Sequence, residues 1–245
     1  MRTTQYQAVD ENSLVVQDGD AAVSDRMYST EFLLYSDAPL DSWRYRYVKR
    51  AMDVTCSVIM IVLFVVPGLL IAAAILLTSR GPIFYREQRI GRNGRLFRIW
   101  KFRSMHRNAA QRARIADAQT GAKVLEWRMH KHLRDPRITS MGGFLRRWSL
   151  DELPQLLNVL IGDMSLIGPR PIVQAETALY GKLLSYYLTA TPGLSGLWQV
   201  SGRSHVNYEK RAKMDADYVQ RWSLRSDLEI LMRTVPAVLG RIGAH

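Results

Sequence analysis

The chain has 245 residues, 47% of them apolar, and a single cysteine, Cys56. This length suits one sizeable domain with an appendage and is short for two full domains. One cysteine excludes an intramolecular disulfide and a metal site built from several thiolates. Lysine and arginine outnumber acidic residues by 34 to 22, which gives a net charge of +12. Such a surplus indicates an anionic partner: nucleic acid, an acidic lipid surface or a phosphorylated ligand.

The first 41 residues differ from the rest of the chain in charge. They contain eight acidic and two basic side chains, so the remaining residues carry a net charge of +18. The stretch has no helical or strand-like period, which predicts a disordered acidic tail over residues 1–44. No basic segment followed by an apolar core occurs in it, so we do not expect a secretory signal there.

A long apolar segment follows the tail. Residues 54–79 form an uncharged run of 26 residues, long enough as a straight helix to cross the roughly 30 Å hydrocarbon core of a bilayer. Pro67 and Gly68 lie near its middle, where a proline removes a backbone donor and kinks a helix. Basic residues flank both ends, and basic flanks tend to stay cytoplasmic. We therefore favour a re-entrant membrane hairpin over 45–80, broken at Pro67, over a single span or a buried core helix.

A β-hairpin is predicted directly after this segment. Asn93-Gly94 lies between strand-like runs at residues 83–86 and 96–100, and Asn-Gly is a strong hairpin signal. Basic side chains recur along it: Arg86, Arg89, Arg92, Arg95, Arg98, Lys101 and Arg103. They form either a solvated face or a surface that meets anionic head groups or a pyrophosphate. Residues 107–134 then have helical composition, and no metal site is expected at its two histidines.

The densest chemistry lies in residues 142–171. Asp151 and Glu152 are adjacent carboxylates in a basic region. One interpretation is local, because Ser149 and Glu152 have the spacing of a capping box that starts a helix. A functional interpretation is compatible with it, since a helix N-terminus attracts phosphate and keeps an aspartate ionised. One carboxylate could then attack phosphorus while the other holds Mg²⁺, which suits carboxylates together with substrate phosphates.

Two loops and an apolar stretch complete the chain. Gly168-Pro169-Arg170-Pro171 has a restricted backbone, so Arg170 is either a pre-set clamp for phosphate oxygens or a solvated turn residue. Residues 192–203 add an aromatic ring, an amide and an arginine. The apolar stretch 228–239, which Pro236 interrupts, is either core or an amphipathic helix on the membrane surface.

Taken in order, these motifs resemble the bacterial sugar transferase family, the monotopic polyprenyl-phosphate phosphoglycosyl transferases. The resemblance covers about residues 45–240 and depends on the ordered series, since each piece alone is weak. The pieces are Lys49-Arg50 with Asp53, Gly81-Pro82-Ile83-Phe84, Arg89-Ile90-Gly91, Lys101-Phe102-Arg103-Ser104-Met105, Asp135-Pro136-Arg137-Ile138-Thr139, Ser149-Leu150-Asp151-Glu152-Leu153-Pro154-Gln155, Gly162-Asp163-Met164-Ser165, Gly168-Pro169-Arg170-Pro171 and Gly196-Leu197-Trp198-Gln199-Val200-Ser201-Gly202-Arg203. The chain is most similar to short members that start exopolysaccharide repeat units. It has Val66-Pro67 where some relatives have Ser-Pro.

The resemblance implies an activity and a site. Such enzymes transfer a sugar-1-phosphate from a UDP-sugar to undecaprenyl phosphate and release UMP, with Mg²⁺ as the cofactor. The family's Asp-Glu dyad falls on Asp151, which would be the nucleophile that forms a phosphosugar-aspartyl intermediate, and on Glu152, which would support the metal. Overall likeness favours galactose or glucose as the sugar. Phosphate and pocket residues are expected at Arg146, Arg170, Lys101, Arg103, Asp163, Arg203, Asp215 and Tyr218.

The resulting expectation is an α/β protein with a mainly helical cytosolic domain and a small β-hairpin over 81–245. The re-entrant membrane helix hairpin and interfacial amphipathic helices would anchor it on the cytoplasmic face of the bacterial inner membrane. The expected partners are the UDP-sugar, undecaprenyl phosphate and inner-membrane lipid, and a homodimer is left open.

Two other functions are weighed against this one. A membrane-tethered nucleic-acid-binding regulator would use the basic charge, but the basic residues form no recognition-helix or aromatic stacking pattern, so no nucleic acid is expected. An inactive membrane scaffold with the same fold is the second alternative, and the intact Asp151-Glu152 pair argues against it.

Overall fold

The fold is known from a computed structural model, which describes residues 40, 42–109, 111, 135–202 and 206–240. The predicted acidic tail and helix 107–134 lie almost wholly outside the described residues, and Arg203 does too. The described part is mainly helical. Its α-helices are α1 (Arg50–Thr78), α2 (Ser140–Arg147), α3 (Gln155–Ile161), α4 (Thr177–Tyr180), α5 (Leu184–Thr189), α6 (Leu197–Val200), α7 (Tyr208–Gln220) and α8 (Leu224–Leu239). Its 3₁₀ turns are Arg92–Gly94, Leu150–Glu152, Gln174–Glu176 and Gly181–Leu183.

The apolar segment forms one long helix. A π-helical turn, Arg44–Lys49, leads directly into α1, and together they are long and apolar enough to cross a membrane. Only 11% of its most apolar stretch is buried, whereas the core helix of a soluble protein is mostly buried. The segment therefore indicates membrane association. Pro67 lies inside α1, and the predicted break there does not end the helix. A proline costs one helical hydrogen bond, which the turns on either side of it can tolerate.

One stripe of α1 packs against the rest of the protein. Asp53, Ser57, Ile71 and Ile75 are buried and recur at helical spacing on one face. Residues 62–67, between these two groups, are all exposed. The buried positions of the helix therefore lie on either side of this exposed stretch.

The predicted hairpin is confirmed. Strand β1 (Phe84–Ile90) pairs antiparallel with β2 (Leu96–Phe102), in a register that sets Ile90 opposite Leu96. Asn93 and Gly94 have φ values of 58° and 74°, the left-handed backbone that these residue types tolerate best.

A second sheet was not predicted. Strand β3 (Ser165–Ile167) pairs in parallel with β4 (Gly193–Ser195), although some 25 residues of helix and loop separate them in the chain. The strands lead into a close approach of two glycines: a Cβ added to Gly193 would lie 2.1 Å from the backbone nitrogen of Gly168. This contact fixes the start of the Gly168-Pro169-Arg170-Pro171 loop.

The main hydrophobic core lies beneath the hairpin. It gathers buried side chains from β2, α3, β3, α7 and α8. A smaller cluster of Ile71, Ile75, Phe102 and Leu145 joins α1 to β2 and α2. Helix α8 places Ile230 in the main core and leaves Leu228 exposed, so it has an apolar residue on each side. Its membrane-surface role stays a prediction.

Candidate active site

The adjacent carboxylates lie in a tight turn between α2 and α3. Asp151 and Glu152 belong to the 3₁₀ turn that follows Ser149, and Asp151 is buried. Ser149 has a left-handed backbone with φ 56° and makes no side-chain capping bond. The predicted capping box is therefore wrong, because an N-cap residue has extended backbone. A left-handed serine costs about 1–2 kcal/mol, and such residues cluster at functional sites.

Two basic side chains converge on Glu152. The Lys101 Nζ lies 2.9 Å from Glu152 Oε1, and an Arg170 guanidinium nitrogen lies 3.8 Å from the same oxygen. Lys101 comes from β2 and Arg170 from the loop after β3, so residues far apart in sequence meet at one carboxylate. These three residues line a small cleft together with Arg89 and Gln155.

A buried carboxyl stands close to Arg170. Asp215 on α7 is almost fully buried and accepts a 2.8 Å hydrogen bond from the Tyr180 hydroxyl. Burial raises the pKa of Asp215 to about 8, against the opposing effects of Tyr180, Arg170 and Arg211. Asp215 is therefore linked to the cleft through the charge of Arg170. Among the described residues it has no hydrogen bond or ion pair with Asp151 or Glu152.

Arg146 and Arg103 hold other parts of the site's surroundings. Arg146, in the last turn of α2, donates a 2.9 Å hydrogen bond to the Ser104 hydroxyl. Its charge also reaches Asp135, whose pKa burial raises but Arg137 and Arg146 together hold below its usual value. Arg103 donates to the carbonyl of Ser79 at the C-terminal end of α1. The structure therefore brings Lys101, Arg170 and Glu152 together, and gives Arg146 and Arg103 separate contacts.

Tyr218 and Asp163 have no hydrogen bond or ion pair with the carboxylates in the described parts of the chain. The Tyr218 hydroxyl is buried within 2.7 Å of Asp227 Oδ1 and 3.1 Å of the Ile167 carbonyl. Asp163 is half-buried and directly follows Gly162, which ends α3.

A model of the bacterial sugar transferase family matches residues 44–241. The chain belongs to this family. The chain is 46% identical over 201 residues to an undecaprenyl-phosphate galactose phosphotransferase of Salmonella typhimurium, which covers 82% of this chain but 42% of that protein. It is 44% identical over 198 residues to the exopolysaccharide production protein ExoY of Sinorhizobium fredii. That match covers 80% of this chain and 88% of ExoY. The chain is 40% identical over 226 residues to a UDP-glucose:undecaprenyl-phosphate glucose-1-phosphate transferase of Caulobacter vibrioides. That match covers 89% of this chain and 79% of the Caulobacter protein.

These similarities confirm the family that the ordered motifs indicated. The chain spans less than half of the Salmonella protein and most of the other two. As a bacterial sugar transferase the chain is an enzyme, and its cleft around Glu152 is the candidate active site.

The donor set of this sugar transferase suits a metal that arrives with a phosphate. Within the described residues, no group of three or more His, Cys, Asp or Glu side chains could hold a metal. Mg²⁺ is commonly bound by one or two carboxylates together with waters and substrate phosphates. Asp151 and Glu152 fit that mode and do not form a self-contained cage.

Two arginines near the Arg170 loop were not among the predicted phosphate and pocket residues, although Arg89 was noted as a basic side chain of the hairpin. Arg89 donates a 3.1 Å hydrogen bond to the Pro171 carbonyl, which ties β1 to the Arg170 loop. Arg211 lies 4.6 Å above the Trp198 ring and near Arg170. Arg89 opens the Arg89-Ile90-Gly91 motif, which was a usable signal, whereas nothing local to Arg211 marks it.

Proposed function

We propose that this protein transfers hexose-1-phosphate from a UDP-sugar to undecaprenyl phosphate, releases UMP, and so starts exopolysaccharide repeat units. The observation that carries the proposal is the cleft that Glu152 lines together with Lys101 and Arg170, next to the buried Asp151, in a chain of the bacterial sugar transferase family. The relatives include a galactose phosphotransferase and a glucose-1-phosphate transferase, which supports the substrate class and makes galactose or glucose the favoured sugar.

The proposed reaction has two substitutions at one phosphorus. A carboxylate oxygen of Asp151 attacks the phosphorus next to the sugar, and the bond from that phosphorus to the bridging oxygen breaks. UMP leaves with the bridging oxygen, and the sugar phosphate is held on Asp151. An oxygen of undecaprenyl phosphate then attacks the same phosphorus, and the departing Asp151 carboxylate is regenerated. A covalent step separates two encounters between anions that would otherwise repel each other.

Basic side chains supply the charge that these steps need. Each step brings one anion onto another, and positioned cations stabilise the charge that develops at the phosphoryl oxygens. Lys101 and Arg170 are already within 4 Å of Glu152, so they stand at the cleft before any substrate binds. Arg170 has the planar fork that matches two phosphate oxygens at once. Arg146 is proposed as a further phosphate contact.

Mg²⁺ is proposed as the cofactor, held by Asp151 and Glu152 together with substrate phosphate oxygens. When bound, it would neutralise phosphate charge and orient the donor. Lys101, Arg170 and the ion would then all contact Glu152. The two basic side chains would keep this carboxylate in place whether or not the ion is bound.

A re-entrant course of α1 is proposed as the way the enzyme meets its lipid substrate. Two contacts support it: Arg50 donates to the Leu160 carbonyl at 2.6 Å, and Arg103 donates to the Ser79 carbonyl at 2.7 Å. Both ends of α1 are therefore held by the same domain, while residues 62–67 are exposed. Such a helix enters one leaflet and returns, so both basic flanks stay on the cytoplasmic face of the inner membrane. The polar domain then meets a lipid phosphate at the interface.

The test is UMP release by purified full-length protein in detergent with Mg²⁺, undecaprenyl phosphate and a panel of UDP-sugars. We expect UMP from UDP-galactose or UDP-glucose, and at least about a 1,000-fold loss in Asp151→Asn, because the nucleophile is gone. The matched control is Asp217→Asn, which removes an exposed aspartate of α7 and should keep wild-type activity.

Two outcomes would contradict the proposal. Folded protein that releases no UMP from any UDP-sugar would argue for an inactive scaffold. Full UMP release by Asp151→Asn would keep the reaction class and exclude Asp151 as the nucleophile.

A further inference from the structure

A basic cavity lies at the C-terminal end of α1. It has a volume of about 370 Å³ and is lined by Thr78, Ser79, Arg80, Arg103, His106, Arg107 and Asn108. Three of these residues are arginines and none is acidic, so the cavity is strongly positive. It shares no lining residue with the cleft around Glu152.

Arg103 is the built-in element of this cavity. Its side chain is buried, with 6% of the residue exposed, and its Nη2 donates to both the carbonyl and the hydroxyl of Ser79 at 2.7 Å. Its Nε and Nη1 atoms are also buried, and within the described residues neither has a hydrogen-bond partner. Buried donors without a partner are costly, and a guanidinium with spare donors is the usual protein ligand for phosphate oxygens.

Apolar surface leads directly to the cavity. Leu76 and Leu77, 54% and 87% exposed, immediately precede Thr78, the first lining residue. Leu69 and Leu70 continue the exposed surface along α1. A ligand that matches both surfaces has a phosphate at one end and an apolar chain at the other, since burying the chain against leucine removes apolar area from water.

We propose that this cavity binds the phosphate of a lipid whose apolar chain lies along the exposed face of α1. It is a lipid site separate from the cleft in which the donor sugar nucleotide would react. The lipid phosphate has two sources in such a membrane, an anionic phospholipid or a polyprenyl phosphate. The proposal rests on the membrane insertion of α1, and its test measures binding and not turnover.

The test uses native mass spectrometry of the full chain in detergent, titrated separately with phosphatidylglycerol, undecaprenyl phosphate and phosphatidylcholine. The variant is Arg80→Gln with Arg107→Gln, which removes two exposed charges of the cavity and leaves the buried Arg103 in place. The control is Arg95→Gln with Arg98→Gln, which removes two exposed charges of the hairpin. Thermal melting of both variants should stay within about 2 °C of wild type, because exposed substitutions rarely alter stability.

We expect the cavity variant to bind at least one of the two anionic lipids about tenfold more weakly than wild type, and the control variant to bind both as wild type does. A difference confined to phosphatidylglycerol would identify the source as a membrane phospholipid. A difference confined to undecaprenyl phosphate would identify it as the acceptor lipid, and a difference with both would assign the site to lipid phosphate in general.

Three results would overturn the proposal: equal loss in the cavity and hairpin variants, no loss in the cavity variant, or an equal loss with phosphatidylcholine. None of them bears on the reaction, since UMP release by the same wild-type preparation is measured independently. A cavity variant with wild-type lipid binding and an active wild-type enzyme would refute the lipid site alone.

Discussion

Two lysine–carboxylate pairs of similar length lie in very different surroundings. Lys49 and Asp227 are 2.7 Å apart, with side chains 3% and 0% exposed. Lys101 and Glu152 are 2.9 Å apart, with side chains 16% and 21% exposed. The Lys49–Asp227 pair, called the closed pair below, is shut off from solvent and stabilises the fold. The Lys101–Glu152 pair, called the open pair, faces a cleft, so its charges remain available to a ligand.

The closed pair belongs to a saturated network. Besides Lys49, Asp227 accepts hydrogen bonds from the Tyr218 hydroxyl at 2.7 Å and the Trp222 indole at 3.0 Å. Lys49 also donates to the Ile167 carbonyl at 2.9 Å. Each charge is therefore compensated, which a buried ion pair requires. The network ties the start of the membrane segment to α7, α8 and strand β3.

The largest expected effect comes from opening the closed pair. Asp227→Ala would leave Lys49 buried without its counter-charge, and we expect a loss of about 3–5 kcal/mol in the free energy of unfolding. Thermal or denaturant unfolding in detergent measures it. The matched control is Glu209→Ala, which breaks the exposed pair with Lys213 and should leave the free energy of unfolding close to that of wild type, because solvent screens an exposed pair. Equal losses in the two variants would show that burial does not make the Lys49–Asp227 pair more important for stability than an exposed pair.

A substitution in the open pair should lower enzymatic activity and leave the stability of the protein nearly unchanged. We expect Glu152→Gln to lower the rate of UMP release about 100-fold, because it removes the charge that positions the basic groups and supports the metal. Its melting temperature should change by less than about 3 °C, since Lys101 keeps contact with solvent. The control is Glu229→Gln at an exposed position of α8. A large fall in melting temperature for Glu152→Gln would make this residue part of the scaffold.

Tyr218→Phe separates the two regions further. The sequence predicted Tyr218 as a pocket residue, whereas the structure buries its hydroxyl against Asp227. We therefore expect a loss of about 1–2 kcal/mol in unfolding free energy with little change in the specific activity of folded enzyme. Tyr47→Phe, at an exposed position, is the control. Unchanged stability with a large loss of activity would instead support the predicted role of Tyr218 in the substrate pocket.

Asp215 offers a third carboxyl, buried without a lysine. Its pKa of about 8 in the folded protein exceeds that of an ordinary aspartate, so folding takes up a proton between about pH 4 and 8. Stability from this group is therefore greatest below about pH 4 and is lost as the pH rises towards 8. The titration of Asp215 changes the free energy of unfolding by at most about 1.4 kcal/mol per pH unit.

Asp215→Asn tests this assignment. The amide stays neutral and still accepts the Tyr180 hydrogen bond, so the variant should lose less stability than wild type between pH 5 and 8. Melting temperatures of both proteins across that range measure the difference. Parallel curves for the two proteins would show that Asp215 does not titrate in this window.

Much of the local structure followed from the sequence. The uncharged run of 26 residues predicted a membrane-associated segment, and Asn93-Gly94 predicted the hairpin in which both residues take left-handed backbone. The predicted capping box failed at Ser149, because four residues of pattern do not reveal a left-handed backbone. Likewise, the continuity of α1 through Pro67 depends on the turns around it and not on proline alone.

What the sequence determined by itself is the set of short-range features and the family: apolar length, turn residues, adjacent carboxylates and the order of the motifs. Only the tertiary structure decided which charges pair. Lys49 lies 178 residues from Asp227, and Lys101 lies 51 residues from Glu152. A lysine has the same local signature in either setting. Its role depends on whether packing removes it from water, and packing is a property of the whole fold.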